Sequence, residues 1–321
     1  MSQTVLRSLQ SRALCRALLV SCALWLLILA GCSTPPPMPL VSTGTIERLG
    51  PIPSNFVEPR LVDVWLPEDY APTKRYAVLY MHDGQALFDG ATSMSKKGWH
   101  IDAAMARLRR EGRIRDTIVV GIWNTNYSRH AEYFPQKVVP LIEEPIRTQF
   151  VQQGLQGNPR ADNYLRFMVK ELKPMIDRRY PTRTDASNTF IMGSSMGGII
   201  SLYAISEYPQ VFVAAACLST HWIGAFESNT AIPLATFTYF RDHLPDPATH
   251  RIYMDRGTTE LDALYPMHQS FANVLLREKG YTDTHFQTLV FDGAGHNEAD
   301  WASRLGKPLT FLLGHAAGSQ P

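Results

Sequence analysis

Several short runs in this chain are apolar almost from end to end, and few folds accept them. Tyr76–Met81, Thr117–Trp123, Thr189–Met192 and Val211–Leu218 are dominated by aliphatic and β-branched residues. A helix needs more length, and a strand with one wet face would alternate with polar residues. A brief unbroken run suits a strand buried on both faces, as in a parallel sheet covered by helices. Leu61–Leu66, Arg251–Met254 and Phe286–Phe291 extend the series. Between the runs lie segments of helical period. In 162–178, Leu165, Met168, Val169, Leu172, Met175 and Ile176 recur every three or four residues. Ile101, Ala104, Met105 and Leu108 repeat that pattern, as do Phe271, Val274 and Leu275. The alternation predicts an α/β domain over 45–315, with a mostly parallel central sheet flanked by helices and the earlier strands antiparallel. Residues 316–321 read as a tail.

The segment 135–163 breaks the rhythm, with Pro140, Pro145 and the stretch Gln152-Gln153-Gly154-Leu155-Gln156-Gly157. A connection this long is usually functional. A lid over the site is expected, a surface insertion being the alternative.

One strand runs straight into a glycine-bracketed serine. Gly193-Ser194-Ser195-Met196-Gly197-Gly198 follows Thr189–Met192 and opens the apolar helix Ile199–Ser206. In G-x-S-x-G between strand and helix, the glycines allow a sharp turn that lifts the Ser195 hydroxyl clear of the sheet. The helix N-terminus then aims backbone N–H groups at any oxyanion that forms. Ser194, at the x position, points elsewhere. A nucleophilic serine needs a base. His296 follows the last predicted strand through Asp292-Gly293-Ala294-Gly295 and precedes a helix from Glu298; His315 lies near the tail, and His221 follows an earlier strand. The orienting acid is expected in Asp255-Arg256-Gly257-Thr258-Thr259-Glu260-Leu261-Asp262, where spacing leaves Glu260 and Asp262 open and Asp255 third. A second oxyanion donor is expected after Tyr76–Met81, in His82-Asp83-Gly84-Gln85, from the N–H of Gly84 or Gln85 beside that of Met196.

Taken together, and in their order along the chain from His82 to His296, these four blocks resemble the esterase D-type branch of the α/β-hydrolases, over about residues 50 to 314. The branch includes feruloyl esterase domains, siderophore esterases, S-formylglutathione hydrolases and mycolyltransferases. The resemblance implies an α/β-hydrolase fold and a serine carboxylic-ester hydrolase working through an acyl-enzyme. It favours Asp262 over Glu260 as the acid of a Ser195–His296–Asp262 triad, because feruloyl esterases carry Gly-Thr-x-Asp-x-Leu in this loop. Here two extra residues separate Gly257-Thr258 from Asp262-Ala263-Leu264. It also places Arg129-His130-Ala131-Glu132-Tyr133 beside the substrate pocket, giving Arg129, Glu132 and Tyr133 as candidate binding residues. A local ion pair is the other reading of Arg129 and Glu132. His221 and Trp222, with Trp123, fall at strand ends on the same face and suit an aromatic or amphipathic ester. An acyltransferase with the same triad is the alternative; a non-catalytic binding lipoprotein would have lost a triad member, and none is lost.

The first 31 residues hold Arg7, Arg12 and Arg16 and no acid, followed by an uncharged run from Ala17 to Gly31. That run is too short to span a bilayer and reads as a secretory signal. Its end, Leu29-Ala30-Gly31-Cys32, resembles the lipobox of bacterial lipoproteins, which implies lipidation of Cys32. With Ser33 next, the implied location is the cell envelope, on the outer membrane facing the periplasm. Thr34-Pro35-Pro36-Pro37-Met38-Pro39 then makes 32–44 an extended tether. Without the signal the chain carries 28 basic and 29 acidic residues, so nucleic acid is not an expected partner. The expected partners are a small-molecule or glycan ester and, through the lipid, a membrane. Cys217 is then the one cysteine left unmodified, which excludes an intramolecular disulfide. No zinc-type spacing occurs, and neither a metal nor an organic cofactor is expected.

Overall fold

Strands β3 (Ala77–His82), β4 (Thr117–Ile122) and β5 (Thr189–Ser194) are buried at every residue. Their alternate side chains enter two different cores: Val78, Tyr80, Val120 and Ile191 point into one, and Leu79, Met81, Val119 and Met192 into the other. Two covered faces explain why these runs carry no polar alternation. The computed structural model describes residues 36–315 except residue 226. The expected signal 1–31, the lipidated Cys32 and the tail 316–321 lie outside the described residues. The described residues from Met38 onward form one compact unit.

Eight strands make one sheet in the order β1-β2-β4-β3-β5-β6-β7-β8. Here β1 is Thr45–Ile52, β2 Arg60–Leu66, β6 Ala214–Leu218, β7 Arg251–Arg256 and β8 Phe286–Val290. The pairs β1·β2 and β2·β4 are antiparallel, and all the others are parallel. The sequence runs locate seven strands. The eighth, β1, is an edge strand whose mixed exposure and internal Gly50-Pro51 hide it from a search for apolar runs.

Helices α1 (Ile101–Arg110), α2 (Arg129–Tyr133), α3 (146–154) and α4 (161–179) precede β5. After it come α5 (Met196–Glu207), α6 (Ala231–His243), α7 (Pro266–Glu278), α8 (Glu298–Arg304) and α9 (Gly306–Leu313). Helix α5 is buried from Met196 to Ile205, which accounts for its apolar residues on every side. In α7 the expected stripe is rotated. Phe271 and Val274 are about half exposed, and the buried side is His268, Gln269, Ala272, Leu275 and Leu276. Gln269 turns inward because its amide oxygen accepts the Trp222 indole N–H at 3.4 Å, while Phe271 packs sideways on Phe237. Among the described residues no helix is long and apolar enough to cross a membrane. Cys217 sits in β6, fully buried, and burial raises its thiol pKa.

The segment 135–163 contributes a 3-10 turn over Gln136–Leu141, then α3 and the start of α4. Its Val138, Ile142, Phe150 and Leu155 are buried in the core, so much of it belongs to the body of the domain. Glu132, expected at the pocket, is buried beneath α2 instead. Its carboxylate accepts two hydrogen bonds from Arg60 of β2, at 2.9 and 2.7 Å, and neither side chain is exposed. This two-pronged pair fastens α2 to the sheet. Glu132→Ala leaves the Arg60 guanidinium buried without its partner. The expected loss is about 3–5 kcal/mol of unfolding free energy, read as a lower urea midpoint at unchanged m-value.

Candidate active site

The parallel strands end on one side of the sheet, where the loops after β3, β4, β5, β6, β7 and β8 converge. Strand order reverses between β3 and β5, since β4 lies beyond β3 and β6 beyond β5. A crevice at that reversal is where open α/β sheets place their ligands. Ser195 follows β5 with φ 56° and ψ −122°, a conformation that non-glycine residues rarely adopt. Its N–H donates to Leu218 O at 2.9 Å, and its carbonyl accepts from Gly198 and His221 at 3.0 and 3.1 Å. The turn is tight: a Cβ on Gly193 would lie 2.6 Å from Gly197 O. Only glycine allows that approach.

His296 and Asp262 meet, with imidazole Nδ1 2.6 Å from Asp262 Oδ1. Asp262 is fully buried. Its other oxygen accepts from the Gly257 N–H at 2.5 Å and the Ser219 hydroxyl at 2.6 Å. Glu260 takes a different post. Its carboxylate accepts the backbone N–H of His296 at 2.7 Å, fixing the loop and leaving the ring to Asp262. The two turns are also tied by backbone bonds, Ala294 O accepting from Thr258 and Thr259 at 2.9 and 3.1 Å. Asp255, the third acid considered, is paired with Arg304 behind this site. Burial pushes its carboxyl up to about 6, with Arg304 acting against that rise.

Opposite Ser195, Asp83 adopts left-handed backbone and opens a single 3-10 turn over Gly84–Ala86. Gly84 and Gln85 have different parts. A Cβ on Gly84 would lie 2.5 Å from Gly121 O, so Gly84 is a point of close backbone approach, while Gln85 lines the cleft. Met196, the first residue of α5, lines it too, and first-turn amides have no acceptor within their own helix. Asp83 accepts from Arg129 Nε and Nη2 at 2.8 and 2.7 Å and from Asn124 Nδ2 at 2.6 Å. Burial alone would raise its carboxyl; Arg129 and Asn124 outweigh burial and hold it below the ordinary range. Arg129 therefore faces the cleft already paired with Asp83. Its pairing with Glu132 does not occur.

Ser195, His296, Arg129 and His221 share one cleft of about 510 Å³ with Met196 and Gln85. Glu132, Tyr133 and Trp222 do not line it. Tyr133 lies beneath Arg129, whose guanidinium carbon is 5.1 Å from its ring centre, and its hydroxyl accepts the Asp83 N–H at 3.4 Å. Trp222 is buried against Phe237 and α7, and Trp123 donates its indole N–H to Asp63. No residue of 135–163 lines this cleft. Met94, Trp99, Leu261 and Trp301 supply its apolar wall instead. No periodicity or motif marks Trp99 or Met94, which sit in an irregular loop. Trp301 had a readable position, one turn into the helix after His296. Among the described residues no His, Cys, Asp and Glu side chains cluster as a metal would require.

Two buried histidines are neutral supports. His82 Nδ1 is 2.8 Å from the Tyr164 hydroxyl, and His221 Nδ1 is 2.7 Å from that of Tyr265. Burial pushes both down to about 3, and for His221 the nearby His130, His296 and Arg129 add to the shift. In the unfolded chain each would titrate near about 6.5. The unfolded state therefore binds protons that the folded state refuses, and stability is lost as pH falls below that value. Each group contributes up to about 1.4 kcal/mol per pH unit between about pH 6 and 4. His82→Gln is expected to flatten the fall by about one proton, measured by urea unfolding across that range.

Comparison with known proteins agrees with this architecture. The family model described as "Putative esterase" matches residues 55–312. Among curated proteins, the uncharacterized protein YbbA of Bacillus subtilis is 22% identical over 267 residues, covering 79% of this chain and 93% of YbbA. The ferri-bacillibactin esterase BesA of the same organism is 26% identical over 164 residues, about half of each protein (49% and 52%). Among solved structures, the ferulic acid esterase AmCE1/Fae1A from Anaeromyces mucronatus, in complex with ferulic acid, superposes with a TM-score of 0.57 at 18% identity, covering 84% of this chain and 91% of that one. With the family model spanning nearly all of the described body, this chain belongs to that esterase family, carboxylic-ester hydrolases on an α/β-hydrolase fold.

Proposed function

We propose that this esterase acts through a Ser195–His296–Asp262 triad and an acyl-enzyme. The observation that carries the reading is the 2.6 Å bond from His296 Nδ1 to the buried Asp262, in the cleft where Ser195 is held on its strained turn. With Nδ1–H committed to Asp262, the other ring nitrogen is unprotonated and free to take the Ser195 proton. The serine oxygen attacks the ester carbonyl. The amides of Met196 and Gln85 receive the negative charge that develops on the carbonyl oxygen. Imidazolium then returns its proton to the departing alcohol, and water, activated by the same imidazole, releases the acid. Arg129 enters as an ion pair with Asp83, so it offers a fixed dipole and little net charge. The wall of Trp99 and Trp301 supports an ester of an aromatic acid; ferulic acid, bound to the solved relative, is an acid of that kind.

Incubation with a fluorophosphonate is expected to add one adduct by intact mass, absent in Ser195→Ala. Asp262→Asn should lower kcat by about 10⁴-fold, whereas Glu260→Gln should cost about tenfold or less, since it loosens the loop without touching the ring. Equal losses in the two acid variants would refute the assignment of Asp262. We also propose export and envelope anchoring through a lipidated Cys32, a reading that rests on residues 1–39 alone. Cys32→Ser is expected to move the protein from the membrane fraction to the soluble one.

A further inference from the structure

Behind the triad acid lies a buried cluster whose hydrogen bonds the hydrolytic cycle leaves unused: Ser219, Asp255, the indole N–H of Trp301, and Arg304. We propose that the Ser219 hydroxyl is a positioning residue of this active site, locking Asp262 in place and coupling it to the buried Arg304 guanidinium. The inference rests on the triad reading above.

The argument is a count of protons and lone pairs. A serine hydroxyl has one proton to give and two lone pairs with which to accept. Ser219 Oγ accepts from Trp301 Nε1 at 3.0 Å and from Arg304 Nη2 at 2.8 Å, and neither donor can act as an acceptor. The hydroxyl proton is therefore directed to the remaining neighbour, Asp262 Oδ2, at 2.6 Å. With the Gly257 N–H on the same oxygen and His296 on the other, the carboxylate cannot rotate. Arg304 Nη2 also bonds to Asp255 Oδ1 at 3.0 Å and comes within 4.0 Å of Asp262 Oδ2. The backbone gives a second indication. Ser219 is fully buried with φ 43°, left-handed backbone in which glycine would be unstrained. A side chain is kept where the backbone disfavours one, and its hydroxyl is the group that is used.

This supplies a clean variant. Ser219→Gly removes the hydroxyl while suiting the backbone, and Ser219→Ala removes it at the same backbone cost as serine. Both should keep the fold by circular dichroism. The ionisable groups around His296 are Asp262 and Glu260 after β7, Tyr265 before α7 with its ring centre 5.9 Å away, His221 after β6, Arg129 on α2, Glu298 and Asp300 on α8, and Arg304 and Asp255 behind. All of them are retained in both variants. Two readouts are taken on the full chain. The first is the far-downfield ¹H NMR resonance of the His296 Nδ1–H, assigned by its loss in His296→Gln. The second is the pH profile of 4-nitrophenyl acetate hydrolysis.

In both variants the resonance is expected to shift, and kcat to fall on the order of 10- to 100-fold with KM little changed. The acid limb of kcat/KM should move to higher pH. An Asp262 that has lost a hydrogen bond to its charged form leaves more of its charge to stabilise the imidazolium. Unchanged resonance, kcat and limb in both variants would overturn the proposal. So would a normal Ser219→Gly beside an impaired Ser219→Ala, which would show that the hydroxyl serves to hold its own left-handed backbone and not Asp262. If the wild type hydrolyses no ester, the triad reading fails, and the resonance still decides whether Ser219 holds Asp262.

Discussion

One buried carboxylate joins the ends of three strands. Asp262 receives the Ser219 hydroxyl from the end of β6, the Gly257 amide from the end of β7, and the His296 ring from the loop after β8. A carboxylate held away from water must be surrounded by donors, and each donor here arrives on a different loop. Satisfying the charge and assembling the site are thus the same act. The close passage of these loops follows from it: a Cβ on Gly257 would sit 2.1 Å from Ala294 O, so the turns can only meet backbone to backbone.

The far side of the cleft is organised by a second charge. Asp83 opens the 3-10 turn that presents Gln85, its carbonyl accepting the Ala86 N–H at 2.9 Å, while its carboxylate is balanced by Arg129 from α2, which the Arg60–Glu132 pair holds to β2. Around these ions the histidines are neutral. Burial keeps His82, His130 and His221 below their ordinary pKa, so in this part of the site they serve as polar packing groups. The cleft that results has fixed dipoles on one side and an indole wall on the other, suited to a neutral ester that gains charge only as it reacts.

How much of this the sequence discloses depends on the range of the forces involved. Strands such as β3 and β5 are legible because being buried on both faces leaves a local, one-dimensional trace. The G-x-S-x-G turn is legible for a similar reason, its steric demands falling on adjacent residues. Edge strand β1 leaves no such trace. The place of Glu132 is hidden from a local reading because its partner, Arg60, is 72 residues away in sequence and on another element. Spacing alone leaves Glu260 and Asp262 equivalent, because what separates them is a 3-10 turn over Glu260–Leu264 that directs one acid to the His296 backbone and the other to its ring. The rotation of α7 was hidden because Gln269 is polar in sequence yet buried against Trp222.

Cys217 carries one more consequence. Among the described residues it is the free cysteine, sealed in the middle of the sheet with its thiol held protonated by burial. A sulfur in that state is a poor nucleophile and a poor partner for disulfide exchange. The body therefore owes none of its shape to covalent cross-links and presents no thiol to its surroundings. Its folding is indifferent to redox potential: the same packed domain can form in a reducing cytosol or in an oxidising compartment outside it.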